Sequence, residues 1–241
     1  MQPPISPFDG LLLVDKPKQL TSHDVVDRLR RHFDLRKAGH CGTLDPNATG
    51  LLLVVVGRAT KLQDRLMGDD KTYEGILRLG ITTDSHDSDG HIVAEQTVPP
   101  LTARDIEQVF TQFRGDIQQV PPMISAIKHH GQPLYKLARK GKIVDRKPRT
   151  VHIYDLRLLA LHLPEAEFRV VCSKGTYVRT LCHDIGQTLG CGAHLAELRR
   201  IRSGKFDVQH AHTLDELLTL TRDQLPNVMI PLLKLVQELT S

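Results

Sequence analysis

Six consecutive apolar residues, Leu51 to Val56, form the longest such run in the chain. Six residues suit a buried strand and fall far short of the ~20 that a helix needs to span a bilayer. Gly10 to Val14 (GLLLV) reads as a second short buried strand. The apolar fraction is 40% and the charged fraction 25%, which supplies a core and excludes disorder by composition. Aromatic residues are only 4% and Trp is absent, so that core must be built from Leu, Val and Ile. A length of 241 residues predicts one large domain, or one with a small appendage. The N-terminus, MQPPISPFDG, lacks the basic start and apolar stretch of a secretory signal.

Helical and strand patterns alternate irregularly. Thr21 and Ser22 offer a helix cap, followed by Val25, Val26, Leu29 and Phe33 at helical spacing. Asp34 to Gly50 reads as a loop. Thr72 to Leu79 and His91 to Val98 read as paired strands around the turn-rich Thr82 to Gly90. Thr102 with Asp105 makes a capping box for a helix through about Phe113. Val151 to Leu163 and Glu167 to Cys172 read as two more strands. Helices are expected over Tyr177 to Leu189 and Ala193 to Leu198. Thr213 with Glu216 opens another, and Ile230 to Leu239 closes the chain. Without a regular βαβ rhythm, the pattern predicts an α+β fold with a mixed, mostly antiparallel sheet.

Charge is concentrated. Lys128 to Arg149 holds eight basic residues (Lys128, Lys136, Arg139, Lys140, Lys142, Arg146, Lys147, Arg149) and one acid, Asp145. With Tyr135, His129 and His130 beside them, these residues suit an arm that grips a nucleic-acid backbone. The alternative is a solvated charged face. The four cysteines, Cys41, Cys172, Cys182 and Cys191, form no C-x-x-C and are too few for a disulfide scaffold, which points to the cytoplasm. No Walker loop, dinucleotide loop, H-E-x-x-H or G-x-S-x-G occurs. Ser85 to Gly90 (SHDSDG) has calcium-loop composition, but its twelfth position would be Gln96 instead of an acid, so it reads as a solvated turn. Nothing implies a metal or an organic cofactor.

One segment stands apart: Ala38 to Gly50 (AGHCGTLDPNATG), running straight into Leu51 to Val56. Its glycines let backbone approach a ligand closely. Pro46 biases Asp45 toward an extended conformation and fixes how its carboxylate is presented. A turn former and a displayed carboxylate are the two readings of Asp45; the second needs a partner that keeps it ionised. Arg179, predicted in the first turn of a helix that Thr176 can cap, opposes the helix dipole there. That position is more easily explained if Arg179 meets a carboxylate or a phosphate.

Five blocks occur in order over about 200 residues: Leu12-Leu-Val-Asp-Lys16-Pro17; Gly39-His40-x-Gly42-x-Leu44-Asp45-Pro46-x-Ala48-x-Gly50; Lys71-Thr-Tyr73; Lys174-Gly-Thr-Tyr177-Val-Arg179; and Gly190-Cys-Gly-Ala-His-Leu195. Together they closely resemble the TruB family of tRNA pseudouridine synthases. The resemblance implies the pseudouridine synthase fold and isomerisation of a T-loop uridine of tRNA, position 55 in standard tRNA numbering. Asp45 matches the family's catalytic aspartate. Tyr73 matches the residue packed on the target base, and Arg179 the arginine that pairs with the catalytic carboxylate. His40 matches a residue stacked where the base leaves the loop. Tyr177 and Leu198 match base-pocket contacts, with helix core as the alternative for Leu198. Lys16 matches a lysine that supports the catalytic loop.

Flipping a base out of a folded loop costs a few kcal/mol, which phosphate contacts from Lys128, Lys136, Arg139, Lys140 and Lys142 and stacking on His40 and Tyr73 would offset. No metal is required, because an ionised carboxylate serves as nucleophile or base. Attack at C1′, attack at C6 and abstraction of a proton from C2′ all stay open. The implied organisation is a single catalytic domain over 1–241 with a basic insertion at about 121–150, without the separate C-terminal PUA-like domain of bacterial relatives. The implied partner is tRNA through its T arm, with no membrane and no obligatory protein partner. The alternatives are a guide-RNA-dependent rRNA pseudouridine synthase and a non-catalytic tRNA-binding or folding module.

Overall fold

A computed structural model describes residues 5–123, 128–129, 131–133 and 144–240. Its strands are β1 (Gly10–Lys16), β2 (Ala38–Cys41), β3 (Thr49–Val56), β4 (Lys71–Leu79), β5 (Ile81–Thr83), β6 (Ile92–Glu95), β7 (Gly115–Gln119), β8 (Lys128–His129), β9 (Gln132–Pro133), β10 (Arg149–His162), β11 (Glu165–Cys172), β12 (Ala193–Ser203), β13 (Phe206–Asp207), β14 (His212–Thr213) and β15 (Ile230–Pro231). Its α-helices are α1 (Ser22–His32), α2 (Gln63–Met67), α3 (Ala103–Gln112), α4 (Val178–Thr188), α5 (Leu214–Thr219) and α6 (Leu232–Thr240). Among the described residues no helix is long and apolar enough to cross a membrane. The chain divides into two compact units, one of residues 1–73 and 199–241, the other of residues 74–198.

In the first unit, β1 and β3 pair antiparallel from Gly10↔Val56 to Lys16↔Gly50. β3 also takes β2 antiparallel, with Ala38 opposite Val56 and Cys41 opposite Leu53. On its other edge Arg199 and Arg200 of β12 run parallel to Thr49 and Gly50. β14 and β15, from near the C-terminus, complete the pairing of β1. Every residue from Leu51 to Val56 is buried, as a strand covered on both faces requires. One face of this sheet packs Leu11, Leu13, Leu51, Leu53 and Val55 with Cys41, Leu66, Phe206, Leu232 and Leu235. Helix α1 opens on a capping box from Thr21 and buries Val25, Val26 and Leu29.

In the second unit, β10 pairs with β11 and with β7, both antiparallel. The strand order is β12, β4, β11, β10, β7. Helix α3 carries the predicted Thr102–Asp105 capping box and buries Ile106 and Phe110. The α+β class and the mixed, mostly antiparallel sheet are as expected.

Three local expectations are corrected. Ala193–Leu198 is not a helix but the first part of β12, where pairing with distant strands overrides a helix-compatible composition. The Asp34 to Gly50 segment is not all loop, because Ala38–Cys41 pairs with β3. The segment near Ile92 pairs with Ile81–Thr83, not with Thr72 to Leu79, which belong to the larger sheet.

Candidate active site

In the first unit, the loop between β2 and β3 displays Asp45 half-buried. Three side chains from other segments fix it. Lys16, at the end of β1 and itself fully buried, donates through Nζ to the carbonyls of Pro17 (2.8 Å), Leu20 (2.7 Å) and Pro46 (3.0 Å). The Ser22 hydroxyl accepts from Leu44 N–H at 2.9 Å and donates to Leu44 C=O at 3.2 Å. Arg200, 1% exposed, donates to the carbonyls of Leu51 (2.7 Å) and Gly42 (3.2 Å). Buried polar groups must be satisfied, so the bonds to Gly42, Leu44 and Pro46 resist movement of the loop. The loop also closes on itself through Ala48 N–H to Asp45 C=O at 3.1 Å.

Two glycines permit this packing. Gly50 has φ +96°, and a Cβ there would lie 2.3 Å from the Arg200 carbonyl oxygen. Gly42 has φ +85°, and its absent Cβ leaves room for the Arg200 guanidinium at 3.3 Å. Arg199, next in sequence, holds Asp15 through both terminal nitrogens at 3.0 and 2.6 Å. Consecutive arginines on β12 thus clamp β1 and the Asp45 loop.

Burial lowers the pKa of Lys16 to about 8; the Asp45 carboxylate opposes that shift and the Arg200 cation adds to it. Lys16 and Asp45 are therefore electrostatic neighbours as well as joined through Pro46. His40, on β2, is half-buried, and burial followed by the Arg200 charge moves its pKa down. Its Nδ1 is buried without a hydrogen bond among the described residues. Its carbonyl accepts from Gln63 Nε2 at 3.1 Å. Tyr73 sits half-buried on β4, two residues after Lys71, whose buried ammonium caps the carbonyls of Met67 (2.8 Å) and Asp69 (2.5 Å). Cys41 is buried among these groups, and desolvation pushes its thiol up to about 12.

The second unit holds the remaining candidates. Arg179 occupies the first turn of α4 and is 4% exposed. Its guanidinium meets Asp87 at 3.2 Å and the Ser85 carbonyl at 3.3 Å. Arg179, expected to meet a carboxylate or a phosphate, has the Asp87 carboxylate beside it. The solvated-turn reading of Ser85–Gly90 is corrected: Ser85 is buried at 1% exposure, and Asp87 faces inward to Arg179. The Ser85 hydroxyl in turn donates to the Asp87 carboxylate.

Tyr177, not Thr176, is the N-cap of α4, and its side chain makes no capping bond. Instead the buried amide of Gln119 brackets the Tyr177 backbone, accepting from its N–H at 3.0 Å and donating to its C=O at 3.2 Å. Leu198 lies half-buried on strand β12, which removes its helix-core alternative. Lys128 falls in β8. Lys136, Arg139, Lys140 and Lys142 lie outside the described residues.

Sequence reasoning missed Ser22, Gln119, Asp87 and Arg200 as supporting residues. The spacing of Ser22 and Gln119 carries no signal, because their partners lie far along the chain. Asp87 and Arg200 were readable only as charges, since the burial that makes each need polar partners is set by distant packing.

The family model for the N-terminal domain of TruB family pseudouridylate synthases matches residues 30–178. That for the C-terminal domain of tRNA pseudouridylate synthase B matches residues 179–237. The tRNA pseudouridine synthase B of Syntrophotalea carbinolica is 50% identical over 234 residues, covering 97% of this chain and 76% of that protein. The enzyme of the same name from Opitutus terrae is 50% identical over 228 residues, covering 95% of each. Among solved structures, a Cbf5–Nop10–Gar1 complex matches with TM-score 0.75 and 31% identity over 96% of this chain. The chain spans 62% of the length of the matched chain in that complex.

Proposed function

Because the chain belongs to the TruB family of pseudouridylate synthases, we infer that it isomerises uridine to pseudouridine in tRNA, at position 55 of the T loop. The N1–C1′ bond breaks, the uracil turns, and C5 joins C1′. C5 gives up its proton and N1 takes one, so atoms balance without an oxidant or a second substrate. Asp45 is the catalytic carboxylate, acting on C1′, on C6 or on the C2′ proton; each route starts from its ionised form. Tyr73, Arg179, His40, Tyr177 and Leu198 bind the substrate. Lys16 supports the loop.

The observation that carries this reading is the anchoring of the Asp45 loop by Lys16, Ser22 and Arg200. A loop held this firmly presents its carboxylate from a fixed backbone before the substrate arrives, and such preorganisation is what lowers the barrier. The partner is tRNA through its T arm, with no protein subunit required. We place the reaction in the cytoplasm, which suits four buried thiols.

The likeness to Cbf5 favours a second reading, in which a guide RNA directs the reaction to rRNA. Release of tritium from C5-labelled uridine in a bare T-arm hairpin separates the two. We expect release without guide RNA. We expect Asp45→Asn to lose turnover by orders of magnitude while tRNA binding persists. Unchanged turnover in that variant would refute the catalytic assignment.

A further inference from the structure

Two imidazole rings in the second unit serve no role described so far. His86 lies between Ser85 and Asp87, the two residues that hold Arg179. His183 follows Arg179 by four residues on α4, so the two share one helix face. The His86 and His183 rings stack with centroids 3.9 Å apart and planes 7° from parallel. Both Nδ1 atoms are buried without a hydrogen bond among the described residues. The rings therefore act through their faces and not through these nitrogens.

The backbone supports the same conclusion. His86 has φ +66°, a left-handed conformation that is strained for a non-glycine residue. Such a conformation persists where its surroundings over-determine it. Here two interactions do so: the ring stack, and Leu195 N–H donating to the His86 carbonyl at 3.0 Å.

We propose that the His86–His183 stack is a positioning element for Arg179, locking the 85–87 turn onto α4 so that Ser85 C=O and Asp87 hold the guanidinium in place. This rests on the reading of Arg179 as a substrate-site residue. The groups facing His86 are Arg179 and His183 on α4, Arg146 ahead of β10, and Asp84 on its own turn, with Asp87 adjacent in sequence. Burial first, then His183, Arg179 and Arg146, lower the pKa of His86 to about 4, against the smaller opposing effect of Asp84. Burial lowers that of His183 as well. The pair is thus neutral near pH 7, and a proton on it would sit beside two guanidinium groups.

The test measures single-turnover pseudouridine formation, tRNA affinity and thermal stability in the full chain. Variants are His86→Ala, His183→Ala and the double variant His86→Phe/His183→Phe. Each alanine variant should lose roughly ten- to a hundredfold in rate, the scale of a small misplacement of a catalytic-site group. The phenylalanine pair should recover most of that loss, because it keeps two flat faces and sacrifices no hydrogen bond from Nδ1. As pH falls toward 4, the rate of the wild-type protein should drop before that of the phenylalanine pair.

If both alanine variants turn over like wild type, the pair is only structural and the proposal fails. If an alanine variant does not fold, the pH comparison decides, and coincident acid limbs for wild type and the phenylalanine pair overturn it. Absence of pseudouridine formation by the wild-type protein would refute the underlying reading of the site instead.

Discussion

Lys16 joins burial, charge and function in one side chain. Folded, its ammonium loses a proton near pH 8; unfolded, it does so near about 10.4. Between those values the unfolded chain binds more protons, so the stability contributed by this group rises with pH across that window. Its effect on catalysis should run the other way. The ammonium has three donors for three carbonyls, and the neutral amine has two. Deprotonation therefore loosens the Asp45 loop. From pH 8 to 10 the wild-type protein should gain stability to urea relative to Lys16→Met while its kcat falls. The variant should lack the alkaline fall and start at least ~tenfold slower at pH 7, having lost the bond to Pro46. Parallel pH–kcat profiles for the two proteins would break the link between Lys16 and the loop. The motif around Asp45 was legible because glycines, a proline and an acid at fixed spacing are local signals. The Ser22–Leu44 and Gln119–Tyr177 pairings were not, since an uncharged polar side chain with a distant partner leaves no pattern.

Whole elements were readable where their causes are local. The capping boxes at Thr102–Asp105 and Thr213–Glu216 lie three residues apart and appear as read. Leu51 to Val56 is a strand because nothing else buries six consecutive apolar side chains so economically. Ala193–Leu198 was misread because its composition tolerates a helix, and what makes it a strand is a partner elsewhere in the chain. Its continuation, Arg199 and Arg200, pairs with Thr49 and Gly50, and that pairing depends on the missing side chain at Gly50. Gly50→Ala should cost about 2–4 kcal/mol, from a left-handed backbone and an approach that cannot be accommodated without shifting β12. The urea midpoint should fall accordingly, and kcat should fall with it because Arg200 also holds Gly42. A midpoint within experimental error of wild type would show that β3 and β12 can part more easily than the 2.3 Å between a Cβ at Gly50 and the Arg200 carbonyl oxygen demands.

At the scale of the whole molecule, the first unit is assembled from both ends of the chain. β1 comes from the N-terminal segment, yet its partners β14 and β15 begin at His212 and Ile230. Composition announced neither this discontinuity nor the division at residue 73. Charge, by contrast, was legible as a concentration in residues 128–149. Reversing Lys136, Arg139 and Lys140 together should weaken tRNA binding and flatten its salt dependence, with the slope falling by roughly 0.7–0.9 for each phosphate that the variant no longer neutralises. A salt slope identical to wild type would mean these side chains face solvent in the complex. The four buried cysteines have a practical corollary. Sealed from solvent, they should ignore alkylating reagents for as long as the chain stays closed. Each covalent adduct would then record one opening event, so the rate of mass gain under mild conditions would time how often each half of the molecule breathes, without any engineered probe.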